Sequence, residues 1–375
     1  MKRAGLAAVC FLAACSNTPG PQPAELARIE KPQDVRVLWS SQVGAAERFT
    51  FTPALVGDSV YVAARDGTVT GMDAAKGRER WRASLELQLS GGVGADPSTV
   101  AVASEEGVVV ALDPATGKER WRARVSSEVL AQPTIGRGLV LVRTIDNKVF
   151  AFGTADGKRL WVYQRAPTTL VVRMPAGVTI AGELAFVGFP GGKLAALTLA
   201  NGAVRWEGTV SVPKGTTELE RIADVMGDPV VQGREVCAAA YRGRVACFEA
   251  ASGRPLWARE VGALSPVALD ARYAYVADER GAVHALDRSN GQSVWKQDRL
   301  AYRGLSAPLP GGQAVAIGDF EGYVHFLARD SGALLARHEI GGGAIRATPV
   351  VLPSALPAAG LLVQTEGGVL FALAL

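Results

Sequence analysis

The sequence predicts an all-β fold: an eight-bladed β-propeller of four-stranded antiparallel blades, with the ring closed by the N-terminal strand. Three observations carry this reading. One phrase recurs along the chain, as RDGTVTGMDAAKGRERW (65–81) and EEGVVVALDPATGKERW (105–121) illustrate. All seven tryptophans, at 39, 81, 121, 161, 206, 257 and 295, fall in the same slot of that phrase. The two ends of the chain are complementary fractions of one repeat.

Further copies are DNKVFAFGTADGKRLW (146–161), GGKLAALTLANGAVRW (191–206), RGRVACFEAASGRPLW (242–257) and RGAVHALDRSNGQSVW (280–295). A seventh, EGYVHFLARDSGALLA (321–336), carries Ala336 in the Trp slot, where a gap is expected unless neighbours fill it. From Trp81 the slots lie 40, 40, 45, 51, 38 and 41 residues apart. That period belongs to four-stranded propeller blades and not to helical repeats of about 33–34 residues.

The elements follow in chain order. Lys2 and Arg3 precede the apolar stretch AGLAAVCFLAA (4–14), which is far short of the roughly 20 residues that span a bilayer but suits a cleaved signal peptide. It runs into LAAC (12–15), which resembles the bacterial lipobox, so Cys15 is the expected lipidation site. Ser16 after it, in place of Asp, favours the outer membrane under the rule for such lipoproteins. Residues 15–33 are rich in Pro and polar side chains and are expected to be a flexible tether, with the propeller over 34–375.

Within a copy, VYVAA (60–64) and TVTGM (68–72) flank Asp66-Gly67, a tight hairpin in which Gly accepts positive φ. A D-x-x-x-G turn follows, as in Asp113 to Gly117, with the Asp closing on nearby amides. Pro53, Pro133, Pro229 and Pro308 each stand fourteen residues before the second residue of the hairpin turn and mark inner strands. EGGVLFALAL (366–375) is half a repeat without its last strand, and VRVLW (35–39) is a last strand without its half. Joined, they complete an eighth blade and remove open sheet edges.

Composition excludes some functions. A net charge of +4 over 375 residues, with no basic block or stripe, argues against nucleic acid. No two cysteines are adjacent, no D-x-[DN]-x-[DN]-G calcium loop appears, and there is no G-x-S-x-G, H-E-x-x-H or P-loop. His284 and His325 share a slot that other copies fill with apolar residues or Thr70, which reads as packing or lumen surface, and His338 stands alone. No catalytic residue, metal ligand or cofactor is expected. Cys237 and Cys247 flank Arg242-Gly243 in a compartment that permits disulfides. A two-residue turn would put their thiols on opposite faces and a three-residue loop would pair them directly; the two-residue register leads us to expect no bond.

Ala111-x-Asp113-x-x-Thr116-Gly117-Lys118-x-x-Trp121 resembles the tryptophan-docking motif of the pyrroloquinoline-quinone enzyme superfamily. There the motif docks blades and does not hold the quinone. With its lipobox, its tether and eight short blades, the chain resembles the BamB family of propeller lipoproteins of the outer-membrane β-barrel assembly machine. GTTELERIADVMGDP (215–229) is similar to that family's T-E-x-x-R-x-x-D-V-D loop, and TTLVVRMPAG (168–177) to its L-x-L-R loop. The resemblance implies a non-enzymatic scaffold that contacts the barrel subunit BamA through Leu170, Val172, Arg173, Glu218, Arg221 and Asp224. Val172 stands where the family prefers Leu, and Met226 replaces the second Asp of D-V-D. It also implies guidance of nascent outer-membrane barrels by strand addition at a blade edge. Thr217-x-x-Glu220 is a capping box, so a short helix is expected to project Glu218, Arg221 and Asp224 from the rim. The plain alternative is two long solvated loops. The rival functions are a periplasmic quinoprotein-like enzyme working in the central channel, and a propeller lipoprotein of another envelope complex.

Overall fold

The computed structural model describes residues 21–166, 170–353 and 360–375. Cys15 and the signal-peptide region lie outside these residues. Strands form eight separate four-stranded antiparallel sheets arranged as an eight-bladed β-propeller. Blades 1 to 7 cover residues 54–84, 89–124, 134–164, 178–209, 225–259, 268–297 and 309–339, each with its four strands in chain order. Blade 8 takes Val350–Leu352, Gly360–Gln364 and Val369–Ala374 from one end of the chain and Arg36–Gln42 from the other. Arg36 pairs with Ala374 and Gln42 with Val369, so the ring closes as the complementary ends predict.

The apolar residues do not gather in one core. They form eight clusters, each shared by two neighbouring blades. One joins Tyr61 and Val69 of blade 1 to Val100 and Val110 of blade 2, and another joins Leu362 and Leu370 of blade 8 to Val60 and Met72 of blade 1. The middle strands read as almost continuous apolar runs for this reason: both their faces meet a neighbouring blade.

The Trp slot supplies the directional part of that contact. Each indole N–H donates to a carbonyl in the turn of the following blade: Trp39 to Ala74, Trp81 to Pro114, Trp121 to Thr154, Trp161 to Leu199, Trp206 to Ala250, Trp257 to Arg288 and Trp295 to Arg329. The turn is made as the sequence suggests. Asp113 Oδ1 accepts from the amides of Ala115 and Thr116, and Gly117 closes it at φ +70°. A Cβ on Gly117 would lie 2.4 Å from the indole of Trp81, so the glycine serves both the backbone and the docked ring.

Blade 8 has no such turn, because its third and outer strands are not consecutive in the chain. A tryptophan at 336 would find no docking turn of the kind the other seven use. Ala336 is fully buried instead, and the space is filled by Leu361, Leu373, Phe371 and Val35.

Two expectations need correction. The hairpin turns hold three residues, not two: Ala64 N–H donates to Thr68 O, enclosing Arg65-Asp66-Gly67. In blade 5 the same length encloses Tyr241-Arg242-Gly243, Cys237 stands directly opposite Cys247, and the two are disulfide-bonded. All four prolines do mark inner strands, and the second correction is only that Pro229 does not start its strand. Pro53, Pro133 and Pro308 each stand just before an inner strand, whereas Pro229 lies inside Val225–Gln232, at a break in its pairing between Met226 and Val230.

Candidate functional site

Connections from the outer strand of one blade to the inner strand of the next all emerge on one face of the ring. The two longest flank blade 4. One runs from 165 to 177 and the other from 210 to 224. Asp224 joins them. Its Oδ2 accepts from the amide of Val172 at 2.7 Å and its Oδ1 from the amide of Gly191 at 3.1 Å, while its carbonyl accepts from Tyr241. Asp224 thus holds the first loop and the hairpin of blade 4 through its buried carboxylate and the hairpin of blade 5 through its backbone carbonyl.

Asp224 therefore does not project from the rim; it is 6% exposed. The expected helix does not form either. The capping box closes, with Glu220 Oε2 accepting from the amides of Thr216 and Thr217 and Thr217 Oγ1 from that of Glu220, but the chain makes a single turn and stops. One turn gives one helical hydrogen bond for the cost of ordering its residues, and no buried face extends it. Glu218 and Arg221 stay on the surface, 3.6 Å apart, and Arg221 also donates to the carbonyl of Gly215.

A second carboxylate supports the first loop from below. Asp228 Oδ1 accepts from Gly177 at 2.6 Å, and burial pushes its carboxyl above the usual range. Arg143 donates to Ala176 O at 2.9 Å and lies 5.5 Å from the centre of the Phe189 ring. Burial lowers its guanidinium to about 10, countered by the charges of Asp224 and Asp228, so it stays protonated.

Above this base the loop presents apolar side chains. Leu170, Val171 and Met174 are exposed, as is Ile145 from the neighbouring hairpin, and Val172 is half-buried. A cavity of about 130 Å³ opens between them, with Val171, Val172 and Met174 at its sides and Arg143, Asp224 and Met226 at its base. Arg173 also lines the cavity, and its half-exposed guanidinium reaches toward blades 2 and 3, where it bonds Glu128 and, at 3.2 Å, Glu105. Those carboxylates raise its affinity for the proton further, so Arg173 is a fixed cation on the rim. On the second loop Val212 and Leu219 are the exposed apolar residues.

The structure thus brings Leu170, Val172, Arg173 and Asp224 together and leaves Glu218 and Arg221 on the second loop. Sequence reasoning missed Val171, Met174, Asp228 and Arg143. Arg143 was open to detection, since its slot holds Ala63, Ala103, Ala239 and Ala277 in other blades and a lone arginine there is out of pattern. Asp278 and Asp319, in the hairpins of blades 6 and 7, bond His284 and His325 at 2.8 Å, so both histidines pin turns. Among the described residues no three His, Cys, Asp or Glu side chains gather as a metal set.

Comparison with known proteins agrees with this architecture. A family model described as outer membrane protein assembly factor BamB matches residues 25–87 and 65–297. An outer membrane protein assembly factor BamB from Bordetella pertussis is 45% identical over 348 residues, 92% of this chain and 89% of that protein. The crystal structure of BamB from Moraxella catarrhalis superposes with a TM-score of 0.83 at 26% identity, covering 91% of this chain and all of that one. A quinohemoprotein alcohol dehydrogenase from Pseudomonas putida reaches a TM-score of 0.72 over 90% of this chain and 76% of its own, at 12% identity, a likeness of fold alone.

Proposed function

The chain belongs to the BamB family of outer membrane protein assembly factors, and from that premise we propose that it is a non-catalytic scaffold of the outer-membrane assembly complex. In this reading residues 1–14 are a signal peptide, and Cys15 carries the lipid that holds the propeller on the periplasmic side of the outer membrane. The rim built by the two long loops binds the BamA barrel subunit. Nascent barrels are assisted in folding and insertion by the complex so formed.

One observation carries the assignment of the rim. Asp224 stitches the 170–177 loop to blades 4 and 5, so an exposed apolar cluster with a cavity at its base is held in place before any partner arrives. Loops that are merely solvated have no need of two carboxylates, Asp224 buried and Asp228 half-buried, fixing their amides. Pre-ordering lowers the entropy lost on binding, and apolar side chains around a recess suit the anchor residues that dominate interface energies. Arg173 adds a forked cation beside the cluster.

The test is crosslinking followed by affinity capture of the lipoprotein from detergent-solubilised envelopes. Asp224 is a poor target for it, since its replacement would disturb the loop from inside. The informative variant is Leu170→Asp with Val171→Asp, both on the surface. Recovery of the barrel subunit is expected to fall roughly tenfold or more, as when a hot spot is lost, with the melting temperature unchanged. Leu160→Asp, on the exposed outer strand of blade 3, serves as control. Equal recovery by the double variant would remove the rim from the interface. Metabolic labelling with palmitate should mark the unaltered protein and not Cys15→Ser, and absence of label from the unaltered protein would refute the anchor.

A further inference from the structure

Residues 24–33, part of the stretch whose composition suggests a flexible tether, lie along blade 7. Ala24 N–H donates to Ala301 O at 2.8 Å and Gln33 N–H to Leu335 O at 2.9 Å. Two arginines cap carbonyls of the segment: Arg303, in the connection between blades 6 and 7, donates to Ala24 O at 3.0 Å, and Arg337, in the outer strand of blade 7, to Ala27 O at 3.1 Å. Arg303 is 2% exposed and bonds Asp319 at 2.7 Å and also Glu321, so its remaining donor is held where a chain carbonyl can meet it. Ala24, Leu26, Ala27 and Ile29 are half-buried, while Glu25, Arg28 and Glu30 face solvent. Such a division between sunken apolar and solvated charged residues marks a seated segment, not a free one.

We propose that this segment is a strap that fixes where the lipidated N-terminus leaves the propeller. Ala301 lies in the connection between blades 6 and 7, which is of the same outer-to-inner kind as the two rim loops and so emerges on the same face. The strap descends beside the outer strand of blade 7 to Leu335, and the chain then turns back to enter blade 8 at Arg36. With the lipid on Cys15, only the chain from 15 to 24 separates the anchor from the strap. Those nine residues reach about 30 Å, whereas a leader free as far as Asp34, nineteen residues, would reach about 65 Å. The strap therefore keeps the partner-binding face toward the membrane and halves the radius the propeller can sweep. The site suits it, because blade 7 is the blade whose Trp slot holds Ala336 and whose neighbour offers no docking turn. The consequence for orientation rests on the lipid anchor proposed above; the seating of the strap does not.

Hydrogen exchange on the full mature chain tests the seating, in the native lipoprotein and in Cys15→Ser alike. The amides of Ala24 and Gln33 should exchange more than about tenfold slower than in an unstructured peptide. Leu26→Ser with Arg337→Ala should release that protection and leave the blade strands protected. Free exchange of both amides in the unaltered protein would overturn the proposal, as would protection untouched by the double variant. Metabolic labelling with palmitate reads the anchor separately: protected amides without label would refute lipidation and leave the strap standing.

Discussion

At the scale of single residues, buried ionisable groups in this propeller work as fasteners. His325 is fully buried, bonds Asp319 through Nε2 and has no partner at Nδ1. Burial depresses its basicity; Asp319 pulls the other way, while Arg303 and Arg337 oppose a further positive charge. The neutral ring donates Nε2–H to Asp319 and leaves only a lone pair at Nδ1. Protonation would add a buried N–H with nothing to bond. The folded pKa lies below the unfolded value of 6.5, so below that pH the unfolded chain binds more protons than the folded one. Stability is thus expected to fall as pH drops through about 6.5, by up to about 1.4 kcal/mol per pH unit from this site. His325→Gln keeps a donor for Asp319 and should flatten the dependence of the melting temperature across the pH range just below 6.5. Curves that stay parallel to those of the unaltered protein would show that His325 does not titrate in that way. Asp224 makes the same point without titration. Its carboxylate is spent on the amides of Val172 and Gly191, which is why a motif resemblance could find the residue but not its role. Residue identity was legible there, and the direction of the side chain was not.

At the scale of the element, the D-x-x-x-G turn was the most legible feature of the sequence, and the length of the hairpin before it the least. D-x-x-x-G specifies a turn through chemistry that any reader of the sequence can apply: an acceptor at the first position and positive φ at the last. The docking of Trp81 on Gly117 adds a second constraint that separates this glycine from Gly138, which has φ +76° and open space for 4 Å around the point where a Cβ would stand. Gly138→Ala should cost only the left-handed backbone penalty, about 1–2 kcal/mol. Gly117→Ala adds displacement of an indole from a packed interface, about 1–3 kcal/mol more. Thermal melts of the two variants should therefore differ, and equal losses would mean that the indole moves aside freely. The hairpin between the second and third strands was harder. Asp66-Gly67 suggested two turn residues, but Gly67, at φ +92°, is the last of three, the arrangement of a type I turn closed by a left-handed residue. That single residue of difference shifts the register in blade 5 and brings Cys237 opposite Cys247.

For the whole molecule, the count of blades was readable because a ring admits no fraction of a blade, and the two partial repeats at the ends had to meet. The same closure accounts for the one departure from the pattern. Seven indoles dock forward onto a turn in the next blade; the eighth slot, in blade 7, faces a blade whose last two strands are brought together by pairing and not by a turn. Judged by its seven sister slots, Ala336 is an error that Trp would repair. Judged by the ring, Trp there has no turn carbonyl to take its N–H, and the space already holds Val35, Leu361, Phe371 and Leu373. Ala336→Trp is therefore expected to destabilise the protein by about 1–3 kcal/mol through overpacking, and by more if the buried indole N–H goes unpaired. The melting temperature should fall by a few degrees, and protection of the amides in Arg36–Gln42 should fall with it, because the strain is applied where that strand closes the ring. A gain in stability would mean that the slot is governed by the repeat and that ring closure places no demand on it.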